Sequence, residues 1–518
     1  MTVRTRFAPS PTGYMHIGNL RTALYAYLFA RSQNGKFVLR IEDTDQKRYV
    51  EDATRVIYET LETANIHHDE GPDVGGNYGP YVQSERKAIY KEYAMKLIEK
   101  GAAYYCFCSK TEDDAVEEEE AKENPFESDC HCRSLSPEEV QKNLAEGKPY
   151  VIRQKVPHEG TTTFNDLVYG EITVENETLD DQILLKSDGM PTYNFANVVD
   201  DYLMGITHII RGSEYLSSNP KYILLYQAFG WEVPCYIHLP LINGKNPDGT
   251  VSKLSKRHGA VSFQALVEEG YLPEAIINYI ALLGWSPKNE REIFTMDELC
   301  EVFSVTGLHK SPAVFDYQKL DWVNAQHIQA MPFEVFSKMA FEYSGVKGTF
   351  LEPKWNKLAT LMQPRINKFT EIPEKLKFLY QVAPYDVQLY VNKKNKSTLE
   401  TSVDILLKTI DAVNQINSWD EQTLSDAFAK VAADNNIKYG PLMWPSRIAM
   451  SGLLATPGGS TDIMYLIGKE ETLKRLQAGL ELIKKQQEED SKPFFVHTFT
   501  DDGVTSDYAD AKEAYENR

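Results

Sequence analysis

The amino-acid sequence predicts an α/β fold with a parallel sheet near its start, a cysteine-flanked insertion, and a separate all-α region toward its end. Three patterns carry that expectation. The stretch "RFAPSPTGYMHIGNLRTALYAYLFARSQNGKFVLRIEDTD", Arg6 to Asp45, reads as strand, loop, helix and strand. The patterns "YVIRQKV" and "LVYGEITV" make Tyr150 to Leu185 β-rich, and "GMPTYNFANVVDDYLMGITHIIRGSEYL" then returns to mixed strand and helix. From about Gln326 helical periodicity is nearly continuous, broken by "VNKKNKST" and "ATPGGSTD".

The elements follow in order. Thr5 to Ala8 is extended, and Leu20, Ala23, Leu24, Tyr27 and Leu28 recur at helical spacing before an Asn34-Gly35 stop. Lys36 to Glu42 then alternates as a strand. Such a βαβ unit opens a parallel sheet, in which ligands sit outside the carboxyl ends of the strands. The segment "KTEDDAVEEEEAKENPFESD" is acidic, poor in apolar residues and enclosed by cysteine pairs, the mark of an insertion. Past Lys256 the chain turns mainly helical, with "PEAIINYIALLGW" an amphipathic example. The last residues, "FTDDGVTSDYADAKEAYENR", are polar and acidic and read as a mobile tail.

Composition narrows the function classes. With 518 residues, 42% of them hydrophobic and 25% charged, the chain can bury several cores and divides into domains. No apolar run is long enough to span a bilayer, and neither a signal-peptide core nor a transit-type segment precedes the first motif, so a cytoplasmic protein without membrane partners is expected. A net charge of −20 argues against non-specific nucleic-acid binding, so any polyanion site must be a local basic surface.

The loop at His16 to Asn19 is the first candidate site. A helix starting near Asn19 would offer unpaired N–H groups and partial positive charge, Gly18 would let a base or phosphate approach the backbone, and His16 would add a donor. Alone, this motif fits a strand-to-helix turn capped by Asn19, or a nucleotidylyltransferase. The second candidate, "GTVSKLSKRHGA", places Lys253, Lys256 and Arg257 with Ser252 and Ser255 between glycines, where ammonium groups could neutralise a triphosphate as it is displaced. A solvated basic loop is the alternative for that segment alone.

Together, "PSPTGYMHIGN" and "KLSKR" resemble the HIGH and KMSKS signature pair of class I aminoacyl-tRNA synthetases, in the form used by glutamyl-tRNA synthetases of bacterial type. "LRIEDTD", "PTYNFANVVDD", "IIRGSEYL", "LSKRHGA" and "SPAVFDYQKLDWVN" resemble that family in its usual order, so the resemblance covers Arg6 to Asn324 and weakens beyond. It implies a Rossmann-like catalytic domain in two halves, 1–100 and 189–260, around an inserted acceptor-binding domain at 101–188. A stem-contact helical region at 261–325, an all-α anticodon-binding domain at 326–490 and the acidic tail at 491–518 would follow.

The implied reaction is attack of the glutamate α-carboxylate on the α-phosphate of ATP, giving glutamyl-adenylate and diphosphate, then transfer of the acyl group to tRNA(Glu). His16, Lys253 and Lys256 would be the catalytic groups, with Gly18, Asn19 and Ser255 completing the ATP site and Mg²⁺ arriving with ATP. By resemblance Arg6, Ser10, Glu42, Tyr193, Asn197 and Arg211 match the glutamate-contacting positions, guanidinium forks suiting the carboxylates and Glu42 the ammonium. Read without the family, Arg211 after "THII" fits a structural ion pair.

Cys106, Cys108, Cys130 and Cys132 form two C-x-C pairs that could give tetrahedral S₄ coordination of Zn²⁺, and His131 could replace one sulfur. The resemblance supports a zinc in the acceptor-binding insertion. Farther on, "KLATLMQPRINKF" and "LMWPSRIAMSG" place Arg365, Lys368 and Arg447 where helical anticodon-binding domains of bacterial glutamyl enzymes have equivalents, with a solvated helical face the plain alternative. A glutaminyl enzyme of the usual type, with a β-barrel anticodon region, fits this helical half poorly. A monomer is expected.

Overall fold

The computed structural model describes residues 2–11, 13–44, 52–108, 130–259, 261–491, 498–500 and 503–505. The acidic insertion, most of the acidic tail and the Lys256 side chain lie outside the described residues. The chain divides into two units, Met1–His327 and Ile328–Arg518.

The first unit is built on parallel strands. Strand β1 (Arg4–Phe7) runs parallel to β2 (Lys36–Leu39), joined by the helix Ile17–Ser32. Phe37, Val38 and Leu39 are all fully buried, so β2 does not alternate as its sequence suggests; a central parallel strand covered on both faces reads as a continuous apolar run. The connecting helix is buried on nearly every side, which is why its apolar residues exceed a single stripe. Tyr25 on it donates from its hydroxyl to Leu283 O at 2.9 Å, and the Arg21 Nη1 donates to the same carbonyl at 3.0 Å.

The insertion contributes two pieces. Strands β3 (Ala103–Cys106), β4 (Val151–Gln154) and β7 (Ile183–Leu185) form one antiparallel sheet. The hairpin of β5 (Thr161–Asp166) and β6 (Gly170–Glu175) instead joins β8 (His208–Gly212) and β9 (Cys235–Leu239), in the order β6-β5-β9-β8. Sheet pairing thus crosses the 101–188 boundary. Strands β8 and β9 are parallel, with Arg211 opposite His238, and β5 runs parallel to β9 through Asp166 and Tyr236. The free edge of β8 meets β1: Thr207 N donates to Arg4 O at 3.0 Å and Arg4 N to Thr207 Oγ1 at 2.8 Å.

Tyr90, Leu97, Ile152, Leu184, Phe195, Val199, Tyr222 and Leu225 share one core under the helices Lys87–Glu99, Tyr193–Leu203 and Asn219–Phe229. A third sheet, in the order β11-β10-β12, combines β10 (Ile242–Lys245), β11 (Val251–Lys253) and β12 (Ala313–Phe315).

The second unit is helical from Phe333–Ser344 to Lys469–Asp490. Arg475 shows how it closes: only 5% exposed, it donates to Phe378 O, Leu379 O and Met450 O at 2.7 to 2.9 Å and pairs with Glu471. One guanidinium so satisfies the orphan carbonyls of two helix ends, which burial without a partner would penalise. Within the expected tail, 498–500 and 503–505 pair as two short antiparallel strands.

Candidate active site

The helix begins two residues earlier than its sequence suggests, at Ile17, and its N-cap is His16 rather than Asn19. With extended backbone, His16 accepts the Gly18 N–H on its Nδ1 at 3.0 Å, and its carbonyl accepts from Leu20 N. Burial, then the nearby charge of Lys253, lowers its pKa, so the ring is neutral at pH 7. Because Nδ1 is an acceptor, the ring proton sits on Nε2, and a backbone hydrogen bond with Leu254 on the facing turn acts against the lowering. Asn19 stands exposed on the first turn, and a Cβ at Gly18 would lie 3.3 Å from the His16 Nδ1.

The two signature segments meet, although over two hundred residues separate them. His16 forms a β-bridge with Ser262, Ile17 N donates to Val261 O at 2.9 Å, and Phe263 N donates to Met15 O. Lys253 ends β11 and is exposed, and Leu254 anchors the turn by burial. His258 ties this turn to β10. Its Nδ1 lies 3.1 Å from the Ser255 N–H and its Nε2 2.9 Å from Asn246 Oδ1. Its ring packs on Gly244, where any Cβ would stand 2.5 Å from the ring. Gly244→Ala should therefore displace the ring and the lysine turn with it. We expect a loss of about tenfold or more in the turnover of the reaction that the resemblance implies, with the fold retained, read by steady-state kinetics and thermal melting.

At the carboxyl ends of β8 and β9 lies a second polar cluster. Arg211 is 4% exposed; its Nε donates to His238 Nε2 at 3.1 Å, its Nη2 donates to Asn219 Oδ1, and its Nη1 has no partner. The rings of Tyr215, Tyr222 and Tyr236 surround it at 4.7 to 5.2 Å. Among the described residues no carboxylate pairs with it, so the ion-pair reading of Arg211 fails. Arg6 is different. Its Nε pairs with Asp201 at 3.0 Å and its Nη1 donates to Ile210 O, so its charge is met within the protein.

Arg40, fully buried, links these groups by pairing with Asp201 at 2.7 Å and with Glu42 at 2.9 Å. Burial raises the Glu42 pKa despite Arg40. Tyr193 starts the helix Tyr193–Leu203 and packs on Tyr215 at 5.4 Å, Asn197 donates to Tyr193 O, and Ser10 is exposed in the loop after β1. Arg40, Asp201, Asp166, His238 and Asn219 are polar residues of this site that spacing alone does not mark.

The cysteine pairs converge. The Sγ atoms of Cys106, Cys108, Cys130 and Cys132 all lie within 4.8 Å of one another, the closest pairs at 3.3 Å. A tetrahedron with ~2.3 Å metal–sulfur bonds has edges of ~3.8 Å, so the donor set fits zinc. Phe107 N donates to the Cys132 sulfur at 3.3 Å. His131 stands beside the cluster, Nε2 at 3.6 Å from the Cys132 sulfur, but four sulfurs complete the set without it. In the second unit, Arg365 is exposed with Nη1 on Leu361 O, Arg447 is half-buried with an unpartnered Nε, and Lys368 is half-buried.

Comparison with known proteins gives the family. Residues 2–322 match the family of class I tRNA synthetases (E and Q), catalytic domain, and residues 329–480 match an anticodon binding domain. The chain is 52% identical over 484 residues to a glutamate–tRNA ligase of Clostridium acetobutylicum, covering 93% of this chain and 99% of that protein. It is 53% identical over 487 residues to one from Clostridium botulinum strain Hall, covering 94% and 99%. A crystal structure of a glutamate tRNA ligase from Elizabethkingia meningosepticum, in complex with its amino acid, superposes with a TM-score of 0.80 at 37% identity, covering 93% of this chain and all of that one. With a matching catalytic domain, a matching anticodon-binding domain and relatives similar over nearly their whole length, the chain belongs to the class I tRNA synthetases (E and Q), in the family of the glutamate–tRNA ligases.

Proposed function

We propose that this chain ligates L-glutamate to tRNA(Glu) in the cytoplasm at the expense of ATP. The observation that carries the reading is Arg211, a buried guanidinium that no carboxylate pairs directly among the described residues and whose Nη1 has no partner, near the carboxyl end of β8, the strand that meets β1 ahead of the His16 loop. Such a group calls for an anionic ligand.

Glutamate binds with its side-chain carboxylate on Arg211, Arg6 adding to the positive field, and its ammonium near Glu42. Ser10, Tyr193 and Asn197 complete the pocket. An α-carboxylate oxygen attacks the α-phosphorus of ATP, and the bond to the leaving diphosphate breaks. The His16 Nε2–H, Lys253 and Lys256 stabilise the charge that shifts onto the diphosphate, while Gly18, Asn19 and Ser255 hold the nucleotide. Mg²⁺ enters with ATP. A ribose hydroxyl at the tRNA terminus then attacks the acyl carbon, and AMP leaves. Arg365 and Arg447 contact the anticodon arm.

Charging assays with purified tRNA(Glu) and tRNA(Gln), each with glutamate and with glutamine, test the assignment. Glutamyl-tRNA(Glu) is the expected product, and charging with glutamine would overturn the reading. Zinc, held by Cys106, Cys108, Cys130 and Cys132, would fasten both ends of the insertion without a large core. Metal analysis should return about one equivalent of zinc per chain. Cys106→Ser should lose it and weaken acceptor-stem binding while ATP binding survives; fully active protein lacking zinc would refute the site.

A further inference from the structure

Arg211 is held from behind by an arrangement that reaches across three strands. Its Nε–H donates to His238 Nε2, at the register position directly opposite on β9. The other ring nitrogen of His238, Nδ1, lies 2.8 Å from Asp166 Oδ2 at the end of β5, and the same carboxylate oxygen accepts the His238 backbone N–H at 3.0 Å. The second oxygen, Oδ1, accepts the Val168 and Tyr169 amides, both at 2.8 Å. All three side chains are buried, His238 completely.

These contacts leave one consistent proton arrangement. Asp166 accepts four hydrogen bonds, so His238 carries its proton on Nδ1 and presents the Nε2 lone pair to Arg211. Burial lowers the His238 pKa, which keeps the ring neutral. Burial alone would raise the Asp166 pKa, but the hydrogen bonds from His238 and the Tyr169 and Val168 amides hold it below the usual carboxylate value. The far end of Arg211 is fixed as well, since Asn219 Oδ1 accepts from Nη2. What remains is a pair of buried donors on mutually bonded side chains, Arg211 Nη1 and Asn219 Nδ2, both without partners.

We propose that Asp166 and His238 are positioning residues that set the direction of the Arg211 fork, and that this direction selects glutamate's carboxylate over glutamine's amide. The proposal rests on the reading of this pocket as the glutamate site. A guanidinium locked at Nε and Nη2 can offer Nη1 in only one direction, and Asn219 Nδ2 adds a second donor beside it. Two donors receive two carboxylate oxygens. A glutamine amide would set its own NH₂ against one of them, leaving a buried donor unpaired. Were the fork free to swing, the arginine could turn away and the penalty would fall.

The test uses the full-length enzyme and three variants, with KM for glutamate, KM for ATP and the glutamate-to-glutamine preference measured in tRNA(Glu) charging. Asp166→Asn places an amide NH₂ in the carboxylate's position. That favours the other His238 tautomer, whose Nε2–H would face the Arg211 Nε–H. His238→Leu removes the acceptor altogether. His238→Gln offers an oxygen near the position of Nε2.

Asp166→Asn and His238→Leu should each raise the glutamate KM about tenfold or more and narrow the preference over glutamine, with the ATP KM changed less than about twofold. His238→Gln should recover most of the glutamate KM. Unchanged glutamate KM in Asp166→Asn and His238→Leu would overturn the proposal, as would glutamate and ATP KM rising together or His238→Gln no better than His238→Leu. If His238→Leu does not fold, Asp166→Asn against His238→Gln decides: impairment of the first alone supports the proposal, and equal behaviour overturns it. A wild-type enzyme that failed to charge tRNA(Glu) with glutamate would remove the underlying reading of the pocket, an outcome separate from any variant's behaviour.

Discussion

His16→Asn should leave the protein folded and slow adenylate formation by about a hundredfold to a thousandfold. The substitution separates two jobs of one side chain. His16 caps its helix by accepting the Gly18 N–H on Nδ1, and asparagine is among the best capping residues, so the stability change should stay below about 1 kcal/mol. What asparagine does not supply in the same place is the Nε2–H. Removing one donor directed at developing charge costs roughly 10²- to 10³-fold in rate. Single-turnover charging and a thermal melt read the two effects independently. An unchanged rate would make His16 a cap and nothing more, and the nucleotide site would have to be sought elsewhere along the Lys253 turn.

Arg211→Gln is expected to strike the amino-acid side of the reaction just as hard. Truncating one partner of a buried charge pair costs about 2 to 5 kcal/mol, which is roughly thirtyfold to several thousandfold in kcat/KM. Most of that should appear in the glutamate KM, and the preference over glutamine should shrink, because a neutral pocket no longer loses a counter-charge when the amide enters. The ATP KM should hold. Arg6→Gln should do less to this preference, since Arg6 already answers to Asp201. If Arg211→Gln keeps both affinity and preference, the anionic ligand of this pocket is not the glutamate side chain.

Much of this site was legible before any coordinates, and the illegible part has a common cause. The His16 loop, the Lys253 turn and the C-x-C pairs are short-range patterns, in which the chemistry lies within a few consecutive residues. The pocket behind Arg211 is not. Asp166 and His238 stand 72 residues apart and meet only because β5 and β9 run parallel in one sheet. Arg40 and Asp201 are 161 residues apart and join through the same kind of tertiary approach. No spacing rule marks such pairs, and each residue taken alone resembles a surface charge. Helical periodicity likewise placed the helix after the first loop but missed its start, because histidine is not among the residues whose short oxygen-bearing side chains signal a cap. Burial of β2 on both faces erased the alternation expected of it.

The contact between Arg4 and Thr207 also sets a timetable. The edge β1 shares with β8 has no partner until residue 207 has been made, 203 positions after Arg4. At 5 to 20 residues per second that interval is roughly 10 to 40 s, during which the unpaired backbone groups of β1 are open to pairing with other chains. The interface between the His16 loop and Val261 to Phe263 forms later still. Closure of β1 into the sheet is therefore a late event of synthesis, although the strand itself is complete at Phe7.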